Sequence, residues 1–399
     1  MSLIYPFKGL RFEKNIVSKN VIAPPYDVID KEYRLKLINS SEYNIAKIIL
    51  PDSYDGAKEI VNLWIEKGVL KFDKECSYYI YCSDYEFDGH KKSVKGFLGA
   101  LRLEEFGKSV KPHEKTLKGP KIDRFNLVTK TNAMFCPIMA LYNEGEKVDE
   151  ILEKTIENSA PIVSEEFESA THKIYKIRDK DDIETIHNYL SKKDVIIADG
   201  HHRYETALMI KDYYNKQGIE SGGFDYIMTL FVDAHKGGLS LLPIHRLVKE
   251  IDDFDNFKNR LSEFFTIKES KEKCDFLMYH NGKFYSLLFK LARDKDMLKK
   301  LDVSIFEEYV YKKILSLSDD DIKNQKVAGY AHSEKEVLDA VDKKEAEIGF
   351  ILNPISNKEL TDIAYSGLTV PQKSTFFYPK IPSGLVAYHF DSIKGCNNV

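Results

Sequence analysis

Asp199, Gly200, His201, His202 and Arg203 form the densest cluster of chemically capable groups in the chain, within the stretch DVIIADGHHRYETAL. A short apolar run leads into the cluster and an amphipathic run leads out of it. A helix starting there opens with backbone N–H groups that lack internal partners and carry partial positive charge. His201, His202 and Arg203 add cationic and donor side chains at the same spot. Asp199 is expected to cap this helix, and Gly200 to permit the tight turn before it. Such an arrangement binds anions, and phosphate is the natural one. The competing reading is a surface turn with a salt-bridged arginine. Zinc fits less well, because adjacent helical histidines point about 100° apart while metal pairs usually stand four residues apart. No metal ligand is assigned.

Four further polar segments could serve the same site. KPHEKT supplies His113, Glu114 and Thr116, and GPKIDR supplies Lys121, Asp123 and Arg124. PQKSTFFYPKIP supplies Lys373, Ser374 and Thr375, with Lys380 close behind. Asp27 follows Pro24-Pro25, which hold the backbone extended. A carboxylate such as Glu114 or Asp27 can act as a general base, and His113 can share that role. Lys121, Arg124 and Lys373 can neutralise phosphate charge. The alternatives are solvated charged loops and, for Asp27, an Asx-turn. If the functional reading holds, His113, Lys121, Arg124 and Lys373 converge on the start of the helix near His202. His245-Arg246 ends an apolar run and reads equally as a cleft wall or a solvent-facing pair.

The elements that must position these groups alternate along the chain. Apolar spacing predicts helices over 57–67, 148–159, 182–190, 204–214, 305–315 and 334–341. Strands are expected at 77–87, 93–103, 173–177, 194–198, 226–232, 239–247 and 348–352, with an Asp88-Gly89 hairpin turn. Residues 111–124 and 370–382 read as loops, since Pro and Gly punctuate them without a clear period. Three regions are expected: 1–145, 146–250 around the Asp-Gly-His-His-Arg cluster, and 251–399.

Composition narrows the function. The 399 residues hold 59 Lys+Arg and 63 Asp+Glu, a net charge of -4, so a protein that coats nucleic acid is disfavoured. No apolar run approaches the ~20 residues that span a bilayer. The first nine residues lack a charged segment followed by an apolar one. Five widely spaced cysteines without a CxxC pair read as free thiols of a reducing compartment, so a cytoplasmic protein is expected. Neither GxxxxGK[ST], nor GxGxxG after a strand, nor GxSxG occurs.

Seven segments in order carry a family resemblance: PFKGL, APPYDV, PHEKTL, GPKIDR, ADGHHRYETAL, LLPIHRLV and PQKSTFFYPKIPSGL. The chain resembles the bacterial and archaeal family called domain of unknown function 1015 nearly end to end. The strand–DGHHR–helix unit is similar to the phosphate-binding box of the ParB/sulfiredoxin superfamily, including its free-serine kinases. The resemblance implies an α/β (α+β) fold with a ParB/sulfiredoxin-like core. It implies a small-molecule phosphotransferase acting on L-serine, with ATP, ADP or pyrophosphate as donor and Mg2+ as the ion. Its rivals are a ParB-like nucleotide-binding regulator associated with DNA and a phosphate-ester hydrolase.

Overall fold

The computed structural model describes residues 4–15, 20–87, 89–114, 121–272, 274–323 and 327–396. The expected mixed α/β fold is present, with helices interleaved among both mixed and antiparallel sheets. The chain forms two compact units. The first comprises Met1–Pro112, Thr116–Leu239 and Pro379–Val399; the second comprises His113–Lys115 and Ser240–Tyr378. Positions 145 and 250, where region boundaries were expected, fall inside these units rather than between them.

The first unit is built on a nine-stranded sheet. Its spatial order runs Val110–Pro112, Val195–Asp199, Ile138–Tyr142, Tyr226–Asp233, His90–Arg102, Tyr79–Phe87, Ala170–Lys176 and Val163–Phe167, with Ile4–Tyr5 also pairing with His90–Arg102. The strand Val195–Asp199 is parallel to Val110–Pro112 and antiparallel to Ile138–Tyr142. Its first four residues are buried, as a continuous apolar run in an interior strand requires. It ends at Asp199, and the helix His201–Lys216 begins after one intervening residue. The helix Lys121–Thr131 is a neighbour of that helix.

The second unit holds a six-stranded antiparallel sheet in the order Phe265–Glu269, Lys283–Phe289, Phe276–His280, Ile348–Leu352, His245–Val248 and Ala328–Ala331. A separate pair joins Ser240–Pro243 to Thr375–Tyr378.

Several local expectations are corrected. The apolar run 239–247 is two strands, Ser240–Pro243 and His245–Val248, each in a different sheet. His245 and Arg246 therefore open a strand and are buried, not solvent-facing. Residues 121–124 are the start of a helix, not loop. Thr375–Tyr378 is a strand set between Pro371 and Pro379. The helix expected at 305–315 is an α-turn, Asp302–Ile305, followed by a π-helical stretch, Phe306–Ile314. Thr116 and Asp88 lie outside the described residues. Cys76 and Cys396 form a disulfide, while Cys82, Cys136 and Cys274 are free thiols. The C-terminal segment runs back along the N-terminal one, with Leu10 N–H donating to Ala387 and Lys8 N–H to Ser392, which brings the two sulfurs together. Among the described residues, no helix is long and apolar enough to cross a membrane.

Candidate functional site

Gly200, not Asp199, occupies the N-cap of the helix His201–Lys216. Its φ of +92° lies in the left-handed region that glycine tolerates best. A Cβ there would stand 2.7 Å from Ile138 Cγ2 and 3.0 Å from Arg203 Cζ. Asp199 is the last residue of the strand, and its carboxylate meets Arg203 and Lys380.

The Asp199 carboxylate gathers two cations. Arg203 Nη2 donates to Oδ2 at 2.5 Å, and Lys380 Nζ donates to Oδ1. Burial pushes the Asp199 carboxyl up, but the Lys380 ammonium and the Arg203 guanidinium outweigh it and hold the group well below the usual carboxylate range. Arg203 also donates to the Pro137 carbonyl, and its side chain is 12% exposed. Burial opposes its charge, yet Asp199 and then Asp27 raise its pKa above the ordinary value. The trio thus sets two cations against one carboxylate.

Asp27 lies within the field of Arg203 on the short 3-10 turn Tyr26–Val28, and it is exposed. Tyr26 of that turn lines a pocket together with Arg203. Arg124 lies 4.1 Å over the ring of Tyr26, donates to Ile49 O at 2.8 Å and pairs with Asp123. Lys121 pairs with Glu205 of the box helix at 2.5 Å. Lys121 and Arg124 therefore join the neighbourhood of the box through partners of their own. His201 is buried, and His202 is half-buried with its carbonyl accepting from Thr206 Oγ1.

A pocket adjoins this cluster. Leu127, Val128, Ala207 and Ile210 form its apolar side; Tyr26, Arg124, Cys136 and Arg203 form its polar side. It encloses about 50 Å³. That is room for a few waters, well short of the few hundred Å³ that bury a whole small molecule. Burial pushes the Cys136 thiol up while Arg203 pulls it down, and Cys136 Sγ lies 2.7 Å from Ser383 Oγ.

The remaining expected site residues belong to the second unit. His113 is buried, with Nε2 2.9 Å from Thr375 Oγ1 and its ring edge-on to Phe377. Glu114 forms an isolated bridge with Val370. Lys373 is exposed, and its carbonyl accepts from Arg246 Nη1 at 2.9 Å. Sequence reasoning did not single out Tyr26, Cys136 or the Pro137 carbonyl, and it named Lys380 only as a neighbour of Lys373. Among the described residues, no group of three or more His, Cys, Asp or Glu could hold a metal ion.

A family model described as protein of unknown function (DUF1015) matches residues 4–304. No curated protein matches the chain. Among solved structures, the chain is similar to a conserved hypothetical protein from Pyrococcus furiosus, with 15% identity over 69% of this chain and 90% of that one at a TM-score of 0.36. It is similar to a free serine kinase in complex with AMP, with 16% identity over 69% and 89% at 0.36. SbnI with a C-terminal truncation, from Staphylococcus aureus, matches at 10% identity over 72% and 85% with a TM-score of 0.37.

Proposed function

The chain belongs to the DUF1015 family, and we propose that it is a phosphate-binding phosphotransferase whose acceptor is a small alcohol such as L-serine. The observation that carries this reading is the trio at the box, two cations sharing the Asp199 carboxylate beside the exposed Asp27. Phosphoryl transfer needs cations around the moving group and a base for the acceptor hydroxyl, and little else from the protein.

In this reading the donor's phosphate oxygens accept from Arg203, Lys380 and the first N–H groups of the helix His201–Lys216. Asp27 takes the hydroxyl proton as the acceptor oxygen bonds to phosphorus. The bond to the donor's bridging oxygen breaks, and that oxygen leaves with the electron pair. Mg2+ belongs to the donor and arrives on its phosphates, as substrate. ATP, ADP and pyrophosphate all fit the chemistry, since each presents a phosphate chain. Asp27 is preferred over Glu114 and His113 as the base because it shares the field of Arg203.

Purified protein with L-serine, Mg2+ and each donor in turn should form O-phosphoserine, read by phosphorus NMR. Asp27→Asn should lower kcat by about 10²–10⁴-fold, the usual worth of a general base, while donor affinity holds. Absence of phosphoserine with every donor would remove the serine-kinase reading. Donor hydrolysis without transfer would favour the hydrolase instead.

A further inference from the structure

Arg246 is fully buried in the second unit, at 0% exposure. Its Nη1 donates to Ile244 O at 2.8 Å and to Lys373 O at 2.9 Å. Its guanidinium lies 4.9 Å from the ring centre of Tyr330. Its Nε and Nη2 have no hydrogen-bond partner among the described residues, and neither does the hydroxyl of the buried Tyr311. Nε and Nη2 share one edge of the guanidinium, the edge that grips a carboxylate side-on. Arg11 uses that same edge on Asp73, at 2.8–3.2 Å. A buried fork and a buried hydroxyl without partners are costly and call for an explanation.

Glu307 is the nearest opposite charge. Its Oε1 stands 3.9 Å from Nη2, too far for a hydrogen bond, and its side chain is 21% exposed. Glu307 and Tyr311 stand four residues apart on the π-helical stretch Phe306–Ile314, and such stretches recur at functional sites. Burial pushes the Tyr311 hydroxyl pKa up, the Arg246 guanidinium pulls it down, and Tyr330 and Glu307 push it up further. Glu114 also acts electrostatically on Tyr330.

From this arrangement we infer that the second unit binds a small zwitterion of the α-amino acid class, its carboxylate on Arg246 and Tyr311 and its ammonium on Glu307. Charge balance selects the zwitterion over a simple anion. Arg246 and Glu307 already cancel, so acetate or phosphate would leave an excess negative charge out of water. An amino acid adds no net charge and supplies a partner for each group left open. The partly exposed Glu307 gives the side of entry.

The test is calorimetric titration of the full chain with glycine, L-alanine and L-serine, and with acetate, inorganic phosphate and methylamine as single-charge controls. At least one amino acid should bind, and the controls should not. Tyr311→Phe, nearly isosteric, should keep its melting curve and weaken binding by about tenfold or more, the scale of a hydrogen bond to a charged group. Glu307→Gln should weaken it likewise. Tyr311 and Glu307 both lie in the second unit, so loss of binding in these variants separates this site from an acceptor site at the box. The inference is overturned if no amino acid binds, if acetate or phosphate binds as tightly, or if folded Tyr311→Phe and Glu307→Gln both bind like the parent.

Discussion

Asp199 holds two positive side chains together, so its removal should be felt at once. In Asp199→Asn, Arg203 and Lys380 would face each other without a counter-charge in a site where Arg203 is 12% exposed. Breaking a buried pair in this way costs roughly 3 kcal/mol. The pH dependence has a definite sign. The folded carboxyl ionises well below the ordinary range because the two cations overcome burial, while the unfolded one ionises near 3.9. A depressed acid contributes its stability above the unfolded pKa and loses it as pH falls toward the folded value. Urea unfolding should therefore show the widest gap between parent and Asp199→Asn at neutral pH, shrinking below pH ~4. A gap that stays constant with pH would assign the loss to packing and not to charge.

At the scale of the element, the box works because a strand stops and a helix starts within one residue. Gly200 makes that junction with a φ of +92°, and a Cβ would press on Ile138 and Arg203. Gly200→Ala should lower stability by roughly 1–3 kcal/mol, the cost of a strained backbone position, and should weaken phosphate affinity by displacing Arg203. Thermal melting and phosphate titration of the same variant check both, and an alanine variant as stable as the parent would refute the first. This junction was legible in the sequence because the signals are local: a β-branched run, Asp-Gly, then helical spacing. The cap was misassigned because Asp199 has a stronger call on it, from Lys380 181 residues away. No local pattern announces that pairing. The helix Lys121–Thr131 was hidden for a related reason. Gly119-Pro120 punctuate the sequence before it, and proline is as much at home at a helix start as in a loop. Arg246 was visible as a residue but not as a buried one, because its burial depends on Tyr330, Glu307 and Lys373, all far along the chain.

Across the whole molecule, each unit carries a buried histidine whose imidazole pKa is pushed down by burial, and both contribute to the response to acid. In the first unit His172 is 2% exposed, with Nδ1 2.9 Å from Tyr81 Oη. In the second, His245 is 6% exposed and its Nδ1 accepts from Leu352 N–H at 3.2 Å, a bond that protonation of Nδ1 would break. Burial pushes each imidazole down to about 4 from 6.5, against the pull of the Phe167 carbonyl on His172 and of Glu334 on His245. The unfolded chain takes up protons first as pH falls through 6.5, so stability is full above that value and declines toward 4. At pH 5 each histidine should account for about 2 kcal/mol of lost stability relative to pH 7.5, from 1.36 kcal/mol per pKa unit. Both units should weaken, since one such histidine lies in each. His245→Asn keeps an acceptor for Leu352 but does not titrate, and His172→Phe removes the other proton site. Each variant should flatten the fall in unfolding free energy between pH 7.5 and 5, and the double variant should flatten it further. A parent protein equally stable at the two pH values, or variants that keep the parent's slope, would show that these imidazoles do not stay neutral in the folded chain.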